Sequence, residues 1–502
     1  MNTSDTLLIT PLLGPFLAAI LGLMFFRSLA VQRVCAIIGP LALSCSGLML
    51  VLVVQDGTII TSQMGNWRAP FGISFVADRL SAILVMLTGI MGMCASLFSL
   101  ASIDIGRKHF GYYPLLNFLL MGVSGAFLTG DMFNMFVWFE LLLIASFVLM
   151  ALGSERAQLE GAMKYVTINL LASTLFLTSL GILYAEAGTL NMADLAQMVP
   201  TLAHPGLLTT LSVLFMIAFG IKAALFPLFF WLPASYHTPP AAVSAIFAAL
   251  LTKVGVYALM RSFTLIFVQD LAYTNTILLV FAALTMITGT LGALAQTELR
   301  RILSFLVIGH IGIALVGLAV GTATSLAGTL FYLIEDMVVL TALFLLSGII
   351  EQYGGRRGTL KSLGGLYNRA PGLTVLFFIP AFSMAGIPPL SGFFAKLALI
   401  KAGLAAGQSG IIAIMLLASL LTLIAISRIW SEVFWKPAPE ASLGKGPGAL
   451  NIKGTLLLWG PLVLLAALVI ALGLGVGPVY RYTLGAGQQL TNPTEYIRAV
   501  LK

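Results

Sequence analysis

Apolar runs of close to 20 residues, separated by short polar stretches, recur from one end of the chain to the other. A membrane-spanning helix needs about 20 mostly apolar residues. Fourteen runs meet that length: about 5 to 25, 34 to 54, 79 to 101, 112 to 130, 132 to 152, 162 to 185, 207 to 231, 240 to 262, 273 to 296, 301 to 320, 324 to 350, 372 to 408, 410 to 433 and 455 to 478. The pattern predicts an all-α polytopic membrane protein with little chain left for an extramembrane domain. The loops at 55 to 78 and 434 to 454 are the longest irregular stretches expected. The N-terminal MNTSDTLLIT lacks a basic region and a small-residue cleavage site, so the first run reads as a retained helix.

Two runs are interrupted. The seventh carries Pro227, Pro233, Pro239 and Pro240, and the twelfth carries Pro380, Gly386, Pro388, Pro389 and Gly392. Proline removes an amide donor and clashes with the preceding turn. Each segment is therefore expected to be a broken helix whose freed backbone lines a cavity rather than lipid. The broken helix is the fourth member of two successive sets of five, helices 4 to 8 and 9 to 13. An odd number of spans per set inverts the second set, the arrangement in which broken helices mark ion sites near the midplane. The expected division is 1–111, a first repeat at 112–262, an inverted second repeat at 273–433, and a C-terminal part at 434–502.

Composition agrees: 59% of residues are hydrophobic, 9% are charged, and mean hydropathy is +1.04. The formal charge of +8 needs no nucleic-acid partner, because the loop asymmetry accounts for most of it. Sixteen Lys and Arg fall on the side of Arg27, Arg107, Arg156, Arg300, Arg356, Arg357, Arg428 and Lys445. Seven fall opposite: Arg68, Arg79, Arg261, Lys401, Arg481, Arg498 and Lys502. The positive-inside rule makes the first side cytoplasmic and turns both termini outward, in a cell inner membrane. Cys35, Cys45 and Cys94 lie in apolar spans without metal-ligand spacing and read as packing residues. No phosphate-cradling loop or dinucleotide fingerprint is present, so no cofactor is expected and the driving energy comes from an ion gradient or a partner subunit.

Four charges nevertheless stand inside apolar spans: Glu140, Lys222, Lys253 and Lys396. A charge at bilayer depth costs about 3 kcal/mol or more, so it persists only where it is paired, hydrated or used. Four in one chain point to a proton or cation path. Glu140 lies nine residues after Asp131, about 13 Å into its helix at 1.5 Å per residue. It either pairs two helices or biases the protonation of Lys222, in which case a movable Glu140 makes the pair a valve. Lysine suits proton transfer better than arginine, because burial readily makes it give up its proton. Lys253 and Lys396 either relay protons laterally or cap the carbonyls of broken helices. His310 is a relay candidate or a hydrogen-bonded core histidine, and His237 is positioned to load a cytoplasmic mouth. Glu335 and Asp336 are adjacent on one helix and point about 100° apart. They are expected not to share a path: one serves it, the other a subunit contact, and a cation site at either is the remaining alternative.

These residues also resemble a known family. PFGISFVADRLSA, the Trp138-Phe139-Glu140 helix, GIKAALFPLFFWLPASYHTPP, LLTKVGVYALMR and GIPPLSGFFAK are similar to the antiporter-like subunits shared by respiratory complex I and the Mrp multisubunit cation/proton antiporters. The likeness spans nearly the whole chain, and WRAPFGI at Trp67 to Ile73 is most similar to the D-type subunits of the Mrp group. The resemblance implies ion-translocating roles for Glu140, Lys222, Lys253 and Lys396. It also implies a hetero-oligomer with an A-type subunit and several small subunits, without which no transport occurs. The chain departs from many relatives in its eleventh helix, where Glu335 and Leu340 replace a histidine and a lysine. A lysine relay would be interrupted there, leaving His310, water or Glu335 to bridge it.

Two functions fit. One is a secondary transporter subunit exchanging external protons for cytoplasmic Na+, with K+ or Li+ as alternatives. The other is a proton-pumping subunit of complex I or a membrane-bound hydrogenase, driven by quinone or ferredoxin chemistry elsewhere. A purely structural scaffold would leave four buried charges without use.

Overall fold

The computed structural model describes residues 3–353, 358–438 and 452–502. Among them, twelve helices are long and apolar enough to cross a membrane, and two shorter apolar ones, Tyr112–Leu128 and Pro371–Ala385, bring the count to the expected fourteen. In chain order the principal helices are α1 (Thr3–Met24), α2 (Leu29–Val54), α3 (Arg79–Ser102), α4 (Tyr112–Leu128), α5 (Met132–Ala151) and α6 (Arg156–Ala187). There follow α7 (Pro205–Ala223), α8 (Ala241–Leu265), α9 (Leu271–Ala295), α10 (Leu299–Val320) and α11 (Ala323–Tyr353). The twelfth span is α12 (Pro371–Ala385) with α13 (Ser391–Ala405), and α14 (Ser409–Trp435) and α15 (Ile452–Leu474) are the last two. The expected loop at 434 to 454, with Lys445, lies largely outside the described residues, as do Arg356 and Arg357.

Helix starts follow local chemistry. Asp78 accepts the Ser81 amide while the Ser81 hydroxyl accepts the Asp78 amide, a reciprocal cap that starts α3. Asp131 caps α5 by accepting the Asn134 amide at 2.7 Å. After α15 the chain forms two amphipathic helices, α16 (Val476–Thr491) and α17 (Thr494–Leu501), rather than a loose tail. The 31-residue α11 stands at the centre, packed against α3, α8, α10, α12, α13, α15 and α16.

Both breaks fall where the sequence places them, but neither falls at a proline. The α7 helix stops because Ala224 adopts a left-handed conformation (φ 62°), and α12 stops at Gly386 (φ 90°). Pro380 sits inside α12 without ending it. Backbone freed at the first break is satisfied within the protein. Trp231 Nε1 donates to Ile221 O at 3.0 Å and the Phe226 amide donates to Thr285 Oγ1 at 3.0 Å. With no bulk water at that depth, such partners allow the irregular turn to persist.

The stretch 55 to 78 is not irregular. It holds an antiparallel hairpin, β1 (Ile60–Gln63) on β2 (Ser74–Ala77), with Ile60 opposite Ala77. The hairpin ties both ends of the described chain together. Ser62 Oγ donates to Asp5 Oδ1 at 2.7 Å, Thr61 Oγ1 to Ala499 O at 3.1 Å, and Gln63 Nε2 to Val500 O at 3.0 Å. Both ends therefore lie on one side, as an even number of spans requires.

Arg261 is not a loop residue. It is buried in α8 and pairs with the equally buried Asp78 at 2.7 Å, which joins α8 to the start of α3. Its guanidinium lies between the rings of Tyr257 (5.4 Å) and Tyr496 of α17 (5.1 Å), so the last helix covers the pair. Removing one member of a buried pair strands the other charge at a cost of about 3–5 kcal/mol. Arg261→Ala is thus expected to lower the thermal unfolding midpoint of the detergent-solubilised protein sharply. The double change Arg261→Met with Asp78→Asn should recover much of the loss, and equal midpoints for wild type and Arg261→Ala would refute the structural role.

Candidate proton-conducting site

Lys222 occupies the last turn of α7, one residue before the helix stops. It is buried, and its ammonium sits 4.9 Å from the centroid of the Phe139 ring. Phe139 in turn packs on Phe176 and Phe219, edge-to-face and stacked, with centroid separations of 4.8 to 6.1 Å among the three rings. Glu140 projects from the middle of α5 and is only half-buried. The two charges do not touch directly. Ser173 on α6 stands between them: its hydroxyl accepts from Lys222 Nζ at 3.2 Å and donates to Glu140 Oε1.

Beside Lys222 is a cavity of about 10 Å³, lined by Phe139, Tyr165, Asn169, Lys222, Trp231 and Leu251 among others, with room for one water molecule. Tyr165, Asn169 and Ser173 recur every four residues and form a buried polar stripe down one face of α6. That stripe is readable in the sequence, but attention to charge alone passes over it.

The next helix reaches Lys222 closely. Gly255 of α8 has no space for a side chain, since a Cβ there would lie 2.6 Å from the Ala223 amide nitrogen. Two residues earlier on the same helix, Lys253 follows a π-helical turn at Phe247–Leu251. The wide turn frees the Ala248 carbonyl, which accepts from Lys253 Nζ at 2.8 Å. Nothing in the composition of FAALL announces this.

Lys253 also pairs with Asp336 Oδ2 at 2.8 Å, and His310 Nδ1 lies 2.7 Å from Asp336 Oδ1. All three are buried, and His310 Nε2 has no protein partner among the described residues. Glu335 turns the other way. Its Oε1 accepts from Ser383 Oγ at 2.9 Å, at the end of α12, and it lies within electrostatic reach of Lys396. Neither acid is therefore at the protein surface, where a subunit contact was expected for one of them. The 100° between adjacent positions aims Asp336 at Lys253 and His310 while Glu335 meets Ser383 beside Lys396, and both are buried inside the protein.

Lys396 on α13 donates to Met384 O at 2.8 Å and Ala385 O at 3.3 Å, the carbonyls left open where α12 ends. Its stem passes Gly386, where a Cβ would lie 3.1 Å from Lys396 Cδ. Carbonyl capping and proximity to an acid thus coexist in one ammonium. Across the break, Ser383 Oγ and Ser391 Oγ are 3.1 Å apart and the Gly392 amide donates to Ser383 Oγ at 3.0 Å.

His237 stands apart from this line. It lies in the turn between α7 and α8, in a segment held by Arg300 Nη1 on Pro239 O at 2.5 Å, and Arg300 pairs with Glu351 at 2.7 Å. Burial, then Arg301 and Arg300, hold the His237 imidazole down to about 4, so it stays neutral at physiological pH. The three cysteines carry no disulfide. No group of three or more His, Cys, Asp or Glu converges as a metal cage among the described residues.

A helical membrane protein with two broken spans and a buried line of acids and lysines defines a class of ion-translocating subunit, and sequence comparison places the chain within it. Residues 129–422, more than half of the chain, match the family described as NADH:quinone oxidoreductase/Mrp antiporter, TM. The chain belongs to that family. It is 43% identical to the D-type subunit of the Na+/H+ antiporter of Alkalihalophilus pseudofirmus, over 99% of this chain and 100% of that one. The corresponding Na+/H+ antiporter chain of Bacillus subtilis is also 43% identical, again over 99% and 100% of the two chains. Among solved structures, a chain of the Mrp complex from a Dietzia species superposes with a TM-score of 0.91 at 30% identity, covering 100% of both chains. A chain of an archaeal membrane-bound sulfane sulfur reductase superposes with a TM-score of 0.87 at 25% identity over 99% of both.

Two outcomes follow from this geometry. Asp336→Ala strands Lys253 and His310 together and should reduce cation-driven proton exchange at least about tenfold, whereas Glu335→Gln, which can still accept from Ser383, should reduce it less; vesicle exchange rates decide the order. With His237 already neutral, its lowered affinity for protons means that only acidification towards pH 4 would charge it. His237→Gln is accordingly expected to leave the exchange profile unchanged between about pH 6 and 9. A displaced profile would place His237 in the path.

Proposed function

We propose that this chain is the D-type, proton-conducting subunit of a multisubunit Na+/H+ antiporter of the Mrp kind. Protons move near the membrane midplane along Glu140, Lys222, Lys253, Asp336, His310, Glu335 and Lys396. The observation that carries this reading is the run of buried contacts from Lys253 through Asp336 to His310, flanked on one side by Lys222 and on the other by Glu335 and Lys396. Lysine, carboxylate and imidazole can each take and release a proton, and each neighbour favours a different charge state of the next. The acids of α11 supply the link that a lysine at Leu340 would otherwise make. His310 Nε2 is open to a second proton partner.

We place the chain in the cell membrane with both termini facing outward, working with other subunits. Moving Arg261 out of the outer loops strengthens the charge asymmetry behind that orientation. The two five-helix units, at 112–262 and 273–433, are read as inverted repeats flanked by 1–111 and 434–502. The matching left-handed stops at Ala224 and Gly386, each beside a buried lysine, support that division.

The second reading, a redox-driven pump component, draws support from the likeness to the sulfane sulfur reductase chain. The higher identity to the D-type antiporter chains, at 43% against 25%, favours exchange. The test is Na+- and K+-induced proton exchange in everted vesicles from antiporter-deficient cells that express the complete set of subunits. Lys222→Ala and Glu140→Ala should each abolish exchange in an assembled complex, and changes at Lys253 or Lys396 should weaken it. Normal exchange in both of the first two variants would overturn the proposed path. An assembled wild-type complex that exchanges neither cation would turn the assignment to the redox-driven pump.

A further inference from the structure

Resting on that reading, we infer that Ser173 is itself a proton-conducting group, the obligatory hydroxyl through which Lys222 and Glu140 communicate. Three observations carry this. First, no direct ion pair joins Glu140 to Lys222 among the described residues, whereas the Ser173 hydroxyl contacts both, accepting from one and donating to the other. Second, Ser173 is buried, and the ring of Phe139, itself packed on Phe176, faces the neighbouring ammonium at 4.9 Å, so the hydroxyl is screened from bulk water. Third, Ser173 lies outside the one-water cavity beside Lys222, whose polar lining is Tyr165, Asn169, Lys222 and Trp231.

Several serines in the described spans donate to a carbonyl three or four residues back, as Ser179 does to Leu175 O at 2.7 Å and Ser124 to Leu120 O at 2.8 Å. Ser173 instead directs its proton to a carboxylate from another helix. A hydroxyl that accepts from an ammonium while donating to a carboxylate can pass a proton without ever carrying charge. The Lys222 N–H bond breaks as a new O–H bond forms on Ser173, while the original Ser173 O–H proton moves to Glu140. An ammonium and a carboxylate become an amine and a carboxylic acid, net charge is unchanged, and rotation of the hydroxyl resets the link.

The test compares Ser173→Ala with Ser173→Thr in the assembled complex, in the same vesicles as Lys222→Ala. Ser173→Ala is expected to lower the maximal exchange rate at least tenfold while leaving the Na+ concentration for half-maximal exchange unchanged, because the hydroxyl handles the proton and not the cation. Ser173→Thr, which keeps a hydroxyl, should restore most of the rate. Ser173→Ala at the wild-type rate, while Lys222→Ala is inactive, would overturn this inference and leave the proposed path standing. Equal loss in the Ala and Thr variants, or a change in half-maximal Na+ alone, would also overturn it by assigning Ser173 a packing or cation-binding role. Full exchange in Lys222→Ala would instead overturn the path on which the inference rests.

Discussion

At the depth of a bilayer core there is no water to receive an open carbonyl or a charged group, and that constraint shapes the whole molecule. Both broken spans expose backbone, and the protein itself supplies the partners. At the first break Trp231 and Thr285 take up Ile221 O and the Phe226 amide. At the second, Lys396 takes up Met384 O and Ala385 O. The device that makes an irregular turn tolerable at the second break also brings an ammonium within electrostatic reach of an acid, so one side chain both caps backbone and faces a carboxylate.

The same constraint explains the arrangement of charge. Buried polar centres are shared: Asp336 between a lysine and a histidine, Ser173 between a lysine and a glutamate, Arg261 between a carboxylate and two aromatic faces. Shared partners keep the cost of burial down in every protonation state, because a group that loses its charge still leaves its neighbour one contact. A buried ion pair with a single partner on each side would hold its proton fast.

How much of this is legible in the sequence depends on contrast. Glu140, Lys222, Lys253, Lys396, Glu335, Asp336 and His310 stand out against apolar surroundings, and each has a polar partner inside the protein. Arg261 reads as a loop residue because it sits near the end of an apolar run, where a loop and a buried helix end look alike until Asp78, far away in sequence, is brought beside it. Ser173 offers little contrast, since serine is common in membrane helices and usually bonds its own backbone; only its four-residue spacing from Tyr165 and Asn169 sets it apart. The π-helical turn before Lys253 leaves no trace in composition. The helices α16 and α17 escape because amphipathic segments of modest length lack the long apolar runs on which span counting relies. The left-handed stop at Ala224, a residue with no intrinsic preference for that conformation, is imposed by tertiary contacts.

The side-by-side acids of α11 also give that helix something that apolar packing cannot. A rod coated with leucine, valine and alanine can turn about its own axis and exchange one greasy contact for another at little cost. With Asp336 engaged on one flank and Glu335 on the next, a turn of about 100° would bring each carboxylate to the wrong neighbours, so α11 has a single permitted azimuth. The two residues act as key and keyway, and the long helix at the centre of the protein becomes a fixed shaft against which α8, α10 and the second broken span are indexed.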